Sequence, residues 1–272
     1  MCGRYASFRE AQDLADAFAI APPDVADDAR LLPPSWNVAP TDPVRIVVER
    51  APKDAPEGAE AVRALRLARW GLVPGWADSP SVGARMINAR VETLTTKPAF
   101  RRAAAARRCL VPAEGYFEWR ALPAAPDAGR RGRPRKQPFW IHPDDGRPLA
   151  FAGLYEFWRD PERDDDDPLR WLVTTTIVTG GAPTDDPALA EIHDRRPVVL
   201  DPDRWDAWLD PAATDASRVL EVLAGAGPHG LVATPVSPEV NTVGNDGPHL
   251  IEPVEPDERD AGDPPTLDLG LG

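Results

Sequence analysis

The chain has 272 residues, 42% of them apolar, with 33 prolines, two cysteines and a formal charge of −13. That length suits one large domain or two small ones, and no run of about 18 apolar residues offers a membrane span. The negative sum argues against a nucleic-acid partner unless the charges are segregated. Two cysteines allow no disulfide framework beyond one pair, and no basic stretch followed by an apolar one opens the chain, so a reduced, cytoplasmic protein is expected.

Ser7 followed by Glu10 fits a capping box, and Leu14 and Phe18 recur at helical spacing, so a helix is predicted over roughly 8–20. "VRIVVER" (44–50) and "ALRLARWGLV" (64–73) read as strands separated by a Pro/Glu/Ala-rich turn at 51–60. "TKPAFRRAAAARR" reads as a short basic helix with Thr96 near its cap and Pro98 in its first turn. Four runs rich in aromatic and β-branched residues follow and read as strands: "CLVPAEGYFEWR", "QPFWIH", "LAFAGLYEFWR" and "RWLVTTTIVT". Helical patterns return in "PALAEIHD", "DRWDAWLD" and "ASRVLEVLAGA", and a last strand, "LVATPVS", precedes "EVNTVGNDGPHLIEPV". Strands outnumber helices without alternating with them. This predicts an α+β fold, a single domain over 2–254 around a largely antiparallel, barrel-like sheet with peripheral helices. Residues 255–272 read as an acidic, disordered tail.

The charges are indeed segregated. Acids gather in "RDPERDDDDP" (159–168), between Asp201 and Asp215, and near the C-terminus, whereas every charged residue between Thr93 and Ala113 is basic. A second basic cluster, "RRGRPRK", spans 130–136. At a Debye length of about 8 Å a basic stripe on an acidic protein still binds phosphates, although a solvated helix face has the same signature.

Metal binding fails on spacing: there is no CxxC or HxxxH, and the four histidines are scattered. No Walker-type or GxGxxG loop follows a strand. Cys109 at the mouth of an apolar strand reads as a structural thiol, and a Cys109–His193 catalytic pair lacks a local signature. Cys2 is different, because trimming of Met1 would give it a free α-amine beside its thiol. The amine titrates near 7.7–8.0 and the thiol near 8.5, so both are nucleophilic around neutrality; the alternative is an accident of the second codon. Glu114 and Glu118, four apart on one predicted strand, would share a face, and Phe117 and Trp119 could desolvate Glu118 toward acid/base work. Asn88, Arg90 and Glu92 would share one face of an extended segment, His193 sits at a helix end beside Asp194 and Arg195, and Trp70 and Trp76 are core residues or base-stacking platforms.

Seven motifs in order resemble the SOS-response-associated peptidase (SRAP) family. They are "MCGRY", "WNVAPT" (36–41), "RWGLVPGW" (69–76), "INARVET" (87–93), "RRCLVPAEGYFEW" (107–119), "IHDRRPVVL" (192–200) and "VNTVGNDGPHLIEPV" (240–254). The resemblance covers about 2–254 and departs in the inserts at 121–136 and 160–168 and in the tail. It implies a protein that shields abasic sites in single-stranded DNA, including single-strand/duplex junctions, through a covalent crosslink, working as a monomer without cofactor or metal. It further implies Cys2 as nucleophile, Asn88 holding the Cys2 amine, Glu118 as acid/base and His193 assisting proton transfer. Arg4, Asn37, Arg90 and Arg195 would line the DNA path, with Pro40 and Trp76 where base stacking is interrupted; Glu114 receives no catalytic role. Three rivals stay open: a thiol autopeptidase limited to Met1 removal, a noncovalent reader of modified bases, and a structural interaction domain.

Overall fold

A computed structural model describes residues 2–51, 59–122, 135–181, 187–226 and 230–255. Most of the 51–60 turn, most of the Arg-rich insert and the acidic tail from 256 therefore lie outside the described residues. In chain order come β1 (Tyr5–Ser7), α1 (Ala11–Ala17), α2 (Asp27–Leu31), β2 (Ser35–Val38), β3 (Pro43–Arg50), β4 (Val62–Trp70), β5 (Asn88–Arg90) and α3 (Arg101–Ala106). They are followed by β6 (Arg108–Ala113), β7 (Gly115–Ala121), β8 (Lys136–Pro143), β9 (Leu149–Arg159) and β10 (Trp171–Gly181). The chain continues through α4 (Pro187–Ile192), β11 (Arg195–Pro197), α5 (Pro202–Leu209), α6 (Ala216–Leu223) and β12 (Leu231–Pro235).

Strands β10, β4, β3, β6 and β9 close into a barrel, because β9 pairs back onto β10. Every pairing around the ring is antiparallel except β4–β10. Short β5 and β11 add to β10. A second, antiparallel sheet runs β12-β8-β7-β1-β2. The expected α+β, barrel-like architecture is what the chain adopts.

Side-chain alternation in β3 explains how the layers meet. Val44, Ile46 and Val48 join Tyr116, Phe139 and Ile141 of the second sheet in one cluster, while Val47 faces Leu14, Phe18 and Trp208 of the helical layer. A strand covered on both faces reads as a continuous apolar run, and this one does. Its one buried charge, Arg45, is 1% exposed and satisfied by carbonyls, with Nε donating to Ala29 O at 2.8 Å.

Three local expectations change. The first helix spans only Ala11–Ala17: Ser7 is committed to β1, and Glu10 caps the helix without a side-chain bond, so the capping box does not form. The basic helix begins at Arg101 with Phe100 as its cap, and Thr96 and Pro98 belong to preceding turns closed by Lys97 N–H to Thr93 O and Phe100 N–H to Lys97 O. The run from Cys109 to Arg120 is two strands in two sheets, parting at Glu114. Gly115 opens β7 where no side chain fits, since a Cβ there would come within 2.6 Å of both Ile141 O and the Trp140 ring. The acidic insert ties the β9–β10 hairpin through ion pairs: Asp165 takes Arg159 at 2.6 Å and Arg170 at 3.3 Å, and Arg163 takes Asp167 at 2.7 Å.

Candidate active site

Cys2 is fully buried, and its Sγ donates to Arg4 O at 3.6 Å. Burial of a residue so near the chain start needs an enclosing structure, and β1 supplies it by pairing with β2 and β7. Cys2 packs in the same apolar cluster as Tyr5, Tyr116, Ile141 and Leu189. Burial, then the nearby negative charge of Glu118, pushes its thiol well above the usual cysteine range. The thiol is therefore held neutral, and thiolate chemistry would need a base.

Glu118 is that neighbour. Alternation along β7 places Tyr116 and Glu118 on one face, whereas Phe117 and Trp119 pack on the other with Val236 and Leu250. The flanking aromatics are therefore not what desolvates Glu118; the core on the Cys2 side is. Burial pushes its carboxyl up to about 7, against opposing pulls from the positive amino terminus and Lys136. A carboxyl with that pKa is half-protonated near neutrality, so it can both give and take a proton.

Glu118 and His193 line one small cleft with Tyr116, Ile141, Leu189, Arg195 and Arg196. His193 follows α4, and burial, then the positive amino terminus, lowers its pKa. Arg195 N–H donates to His193 Nδ1 at 3.0 Å, and Asp194 Oδ1 lies 3.0 Å from the same nitrogen. Asn88, at the start of β5, donates from Nδ2 to Cys2 O at 2.8 Å. Its contact is thus to the Cys2 carbonyl, where an amine contact was expected. Its buried Oδ1 meets no donor among the described residues.

Glu114 is separated from this group in space. Its Oε2 accepts from Phe8 N–H at 2.7 Å and its Oε1 lies 3.2 Å from Arg9 Nε, pinning the β1–α1 turn. It sits outside both strands, so the expected shared face with Glu118 does not exist.

The residues expected along a DNA path divide into two groups. Trp76 is 62% exposed, Arg90 is exposed and Pro40 half-buried. Asn37, by contrast, is buried at 3%, and its Nδ2 donates to Val240 O, Thr242 O and Asn245 O at 3.3, 3.1 and 2.9 Å. Its place is beneath the 240–245 segment rather than on a surface. Arg4 shares that task, donating to Asn37 Oδ1 at 2.7 Å and Val240 O at 2.8 Å. Arg195 forms a two-pronged ion pair with Glu92 at 2.9 and 3.1 Å and also bonds Thr179 O. Extended backbone holds only over Asn88–Arg90, and Glu92 reaches Arg195 from the turn that follows. Sequence reading missed Tyr116, Leu189 and Arg196 as cleft residues; only the pairing of β7 with β8 and the return of β11 bring them there. Among the described residues no His/Cys/Asp/Glu cluster could hold a metal.

The chain is 34% identical over 257 residues to abasic site processing protein YoqW of Bacillus subtilis, covering 93% of this chain and 99% of that one. It is 31% identical to abasic site processing protein YedK of Escherichia coli, at 93% and 100% coverage. A crystal structure of a Bacteroides thetaiotaomicron protein superposes with a TM-score of 0.71 at 21% identity, covering 93% of this chain and all of that one, which shows the shared fold. The family model for SOS response associated peptidases matches residues 1–243, so this chain belongs to the SRAP family.

Proposed function

We propose that this protein captures abasic sites in single-stranded DNA by a covalent thiazolidine link to Cys2 after removal of Met1. The observation that carries the reading is a buried Cys2 electrostatically coupled to a carboxyl whose pKa is raised to about 7, beside a small cleft. The names of the relatives support the substrate.

The chemistry balances without a cofactor. Glu118 takes the hydroxyl proton of the closed abasic sugar and returns it to the ring oxygen as that C–O bond breaks, which opens the sugar to the aldehyde. The Cys2 amine adds to the aldehyde carbon, and Glu118 relays two protons from the added nitrogen to the departing oxygen, so water leaves and a Schiff base remains. Glu118, again a carboxylate, accepts the thiol proton as sulfur bonds to the same carbon, and the nitrogen regains a proton. Aldehyde plus aminothiol thus gives thiazolidine plus water. Fixing the second nucleophile two bonds from the first makes closure unimolecular, with effective molarities of about 10⁵ M or more. A thiol kept neutral by burial suits this order, because the amine must attack first. The orphaned Oδ1 of Asn88 would receive the new ammonium, and His193 would relay protons at the cleft mouth. Exposed Arg90 and Trp76 would meet phosphate and base.

The test is an abasic single-stranded oligonucleotide incubated with the protein and resolved under denaturing conditions after heating. A heat-stable shifted band is expected. An autopeptidase would lose Met1 without giving the band, and a noncovalent reader would shift only native gels.

A further inference from the structure

A second cleft, of about 310 Å³, lies where β4 and β10 part, and it shares no lining residue with the cleft beside Glu118. The two strands pair only at Arg69 and Trp70 with Thr174 and Thr175. Toward their N-terminal ends they separate, and Asp28, Thr41, Arg69, Trp171 and Leu172 line the gap between them. The volume is in the range of small-ligand sites, and the lining suits a flat ligand that carries an anion. Trp171 is 47% exposed, with Arg170 over its ring at 5.8 Å from the centroid. Arg170 is itself held by Asp165 at 3.3 Å, so the indole is a backed platform. Half-buried Arg69 makes no hydrogen bond or ion pair with another described residue, which leaves its fork for an anion. Asp28 accepts Ala29 N–H on Oδ1 at 2.7 Å and keeps Oδ2 for an amino donor.

The gap adjoins the expected DNA path on two sides. Thr41 directly follows Pro40, and Leu172 packs with Val73 and Ala77, between which Trp76 lies in the chain. Thr41 has φ +79°, which a β-branched residue adopts only under constraint. The constraint is a pair of bonds with Trp70, Thr41 N–H to Trp70 O and Trp70 N–H to Asp42 O, both 2.9 Å. Strain of this kind gathers where a fixed edge meets a ligand. We propose that the gap seats one unpaired base of the bound single strand, stacked on Trp171, with a phosphate of the same strand on Arg69. This rests on the reading of the protein as an abasic-DNA binder and adds to it a contact with an intact nucleotide beside the lesion. Trp171 and Arg69 act on binding and leave the chemical step alone.

The experiment walks a second missing base along the strand. Each oligonucleotide carries a tetrahydrofuran analogue of the abasic site, which cannot open to an aldehyde and so reports binding alone. A second tetrahydrofuran then replaces each neighbouring nucleotide in turn. In the wild type one such position should lose about tenfold in affinity, the effect of one stacked base. In Trp171→Ala the strand with the single analogue should bind about tenfold more weakly, and the loss at that position should vanish. Trp171→Phe keeps a ring and should restore most of the wild-type pattern. Arg69→Gln should keep the sensitive position and make log Kd less steep in log salt by about 0.7, the loss of one phosphate contact. With a true abasic strand, Trp171→Ala should raise the half-saturating DNA concentration and leave the plateau crosslinking rate unchanged. A wild type that crosslinks but has no sensitive position overturns the seat, as does a position that stays sensitive in Trp171→Ala. A wild type that forms no crosslink sinks the parent reading instead, while the walk with the analogue still reads the seat.

Discussion

Replacing Glu118 by Gln should make the protein both slower and more stable at alkaline pH. The carboxyl is 3% exposed and, because burial disfavours its charged form, titrates at about 7 in the folded chain against 4.5 ordinarily. Between those values the unfolded chain has released the proton that the folded chain keeps. Stability from this group is therefore complete below about 4.5 and is lost as pH rises through about 7. From pH 5 to pH 8 that loss is roughly 2.5 kcal/mol, taking a shift from 4.5 to about 7 and 1.36 kcal/mol per unit. Gln keeps the shape and never ionises, so Glu118→Gln should escape the loss. Urea denaturation of both proteins at pH 5, 6, 7 and 8 gives the difference directly, because every other titrating group cancels to first order. The gap should open in favour of Gln as pH rises. Crosslinking by the variant should fall about 10²-fold, together with the loss of the inflection near neutrality. A gap that stays flat from pH 5 to pH 8 would refute the desolvated carboxyl, and an unaffected rate would refute its role.

Cys2→Ser keeps the amine but offers oxygen, the poorer ring-closing nucleophile. It should give at most a labile imine that borohydride traps and heat destroys, while a tag left on the N-terminus should abolish even that, as denaturing gels would show. Asn37→Ala removes the amide that bonds three carbonyls of the 240–245 segment and holds Arg4, so it should cost about 2–3 kcal/mol in denaturation, with stranded buried groups as the cause. His193→Ala should slow crosslink formation or reversal about tenfold or more while still binding a tetrahydrofuran analogue of the abasic strand, which cannot open to an aldehyde, as quench time courses in both directions would measure.

Composition and motif order by themselves determined the family and the α+β barrel class, because apolar alternation, turn chemistry and a cysteine in second position are local properties. Cys2 and Glu118 could be named without coordinates for the same reason. Only tertiary structure decided which arginine pairs with Glu92, since Arg195 and Arg196 are identical neighbours in sequence. It also separated Glu114 from Glu118, because the chain passes from β6 in one sheet to β7 in the other between Ala113 and Gly115. Asn37 reads as a polar motif residue in sequence and becomes a buried clamp once the 240–245 segment returns over it, from some two hundred positions along the chain. The same holds for the pKa of Glu118, since burial is set by what packs from other strands, and here its sequence neighbours Phe117 and Trp119 face away.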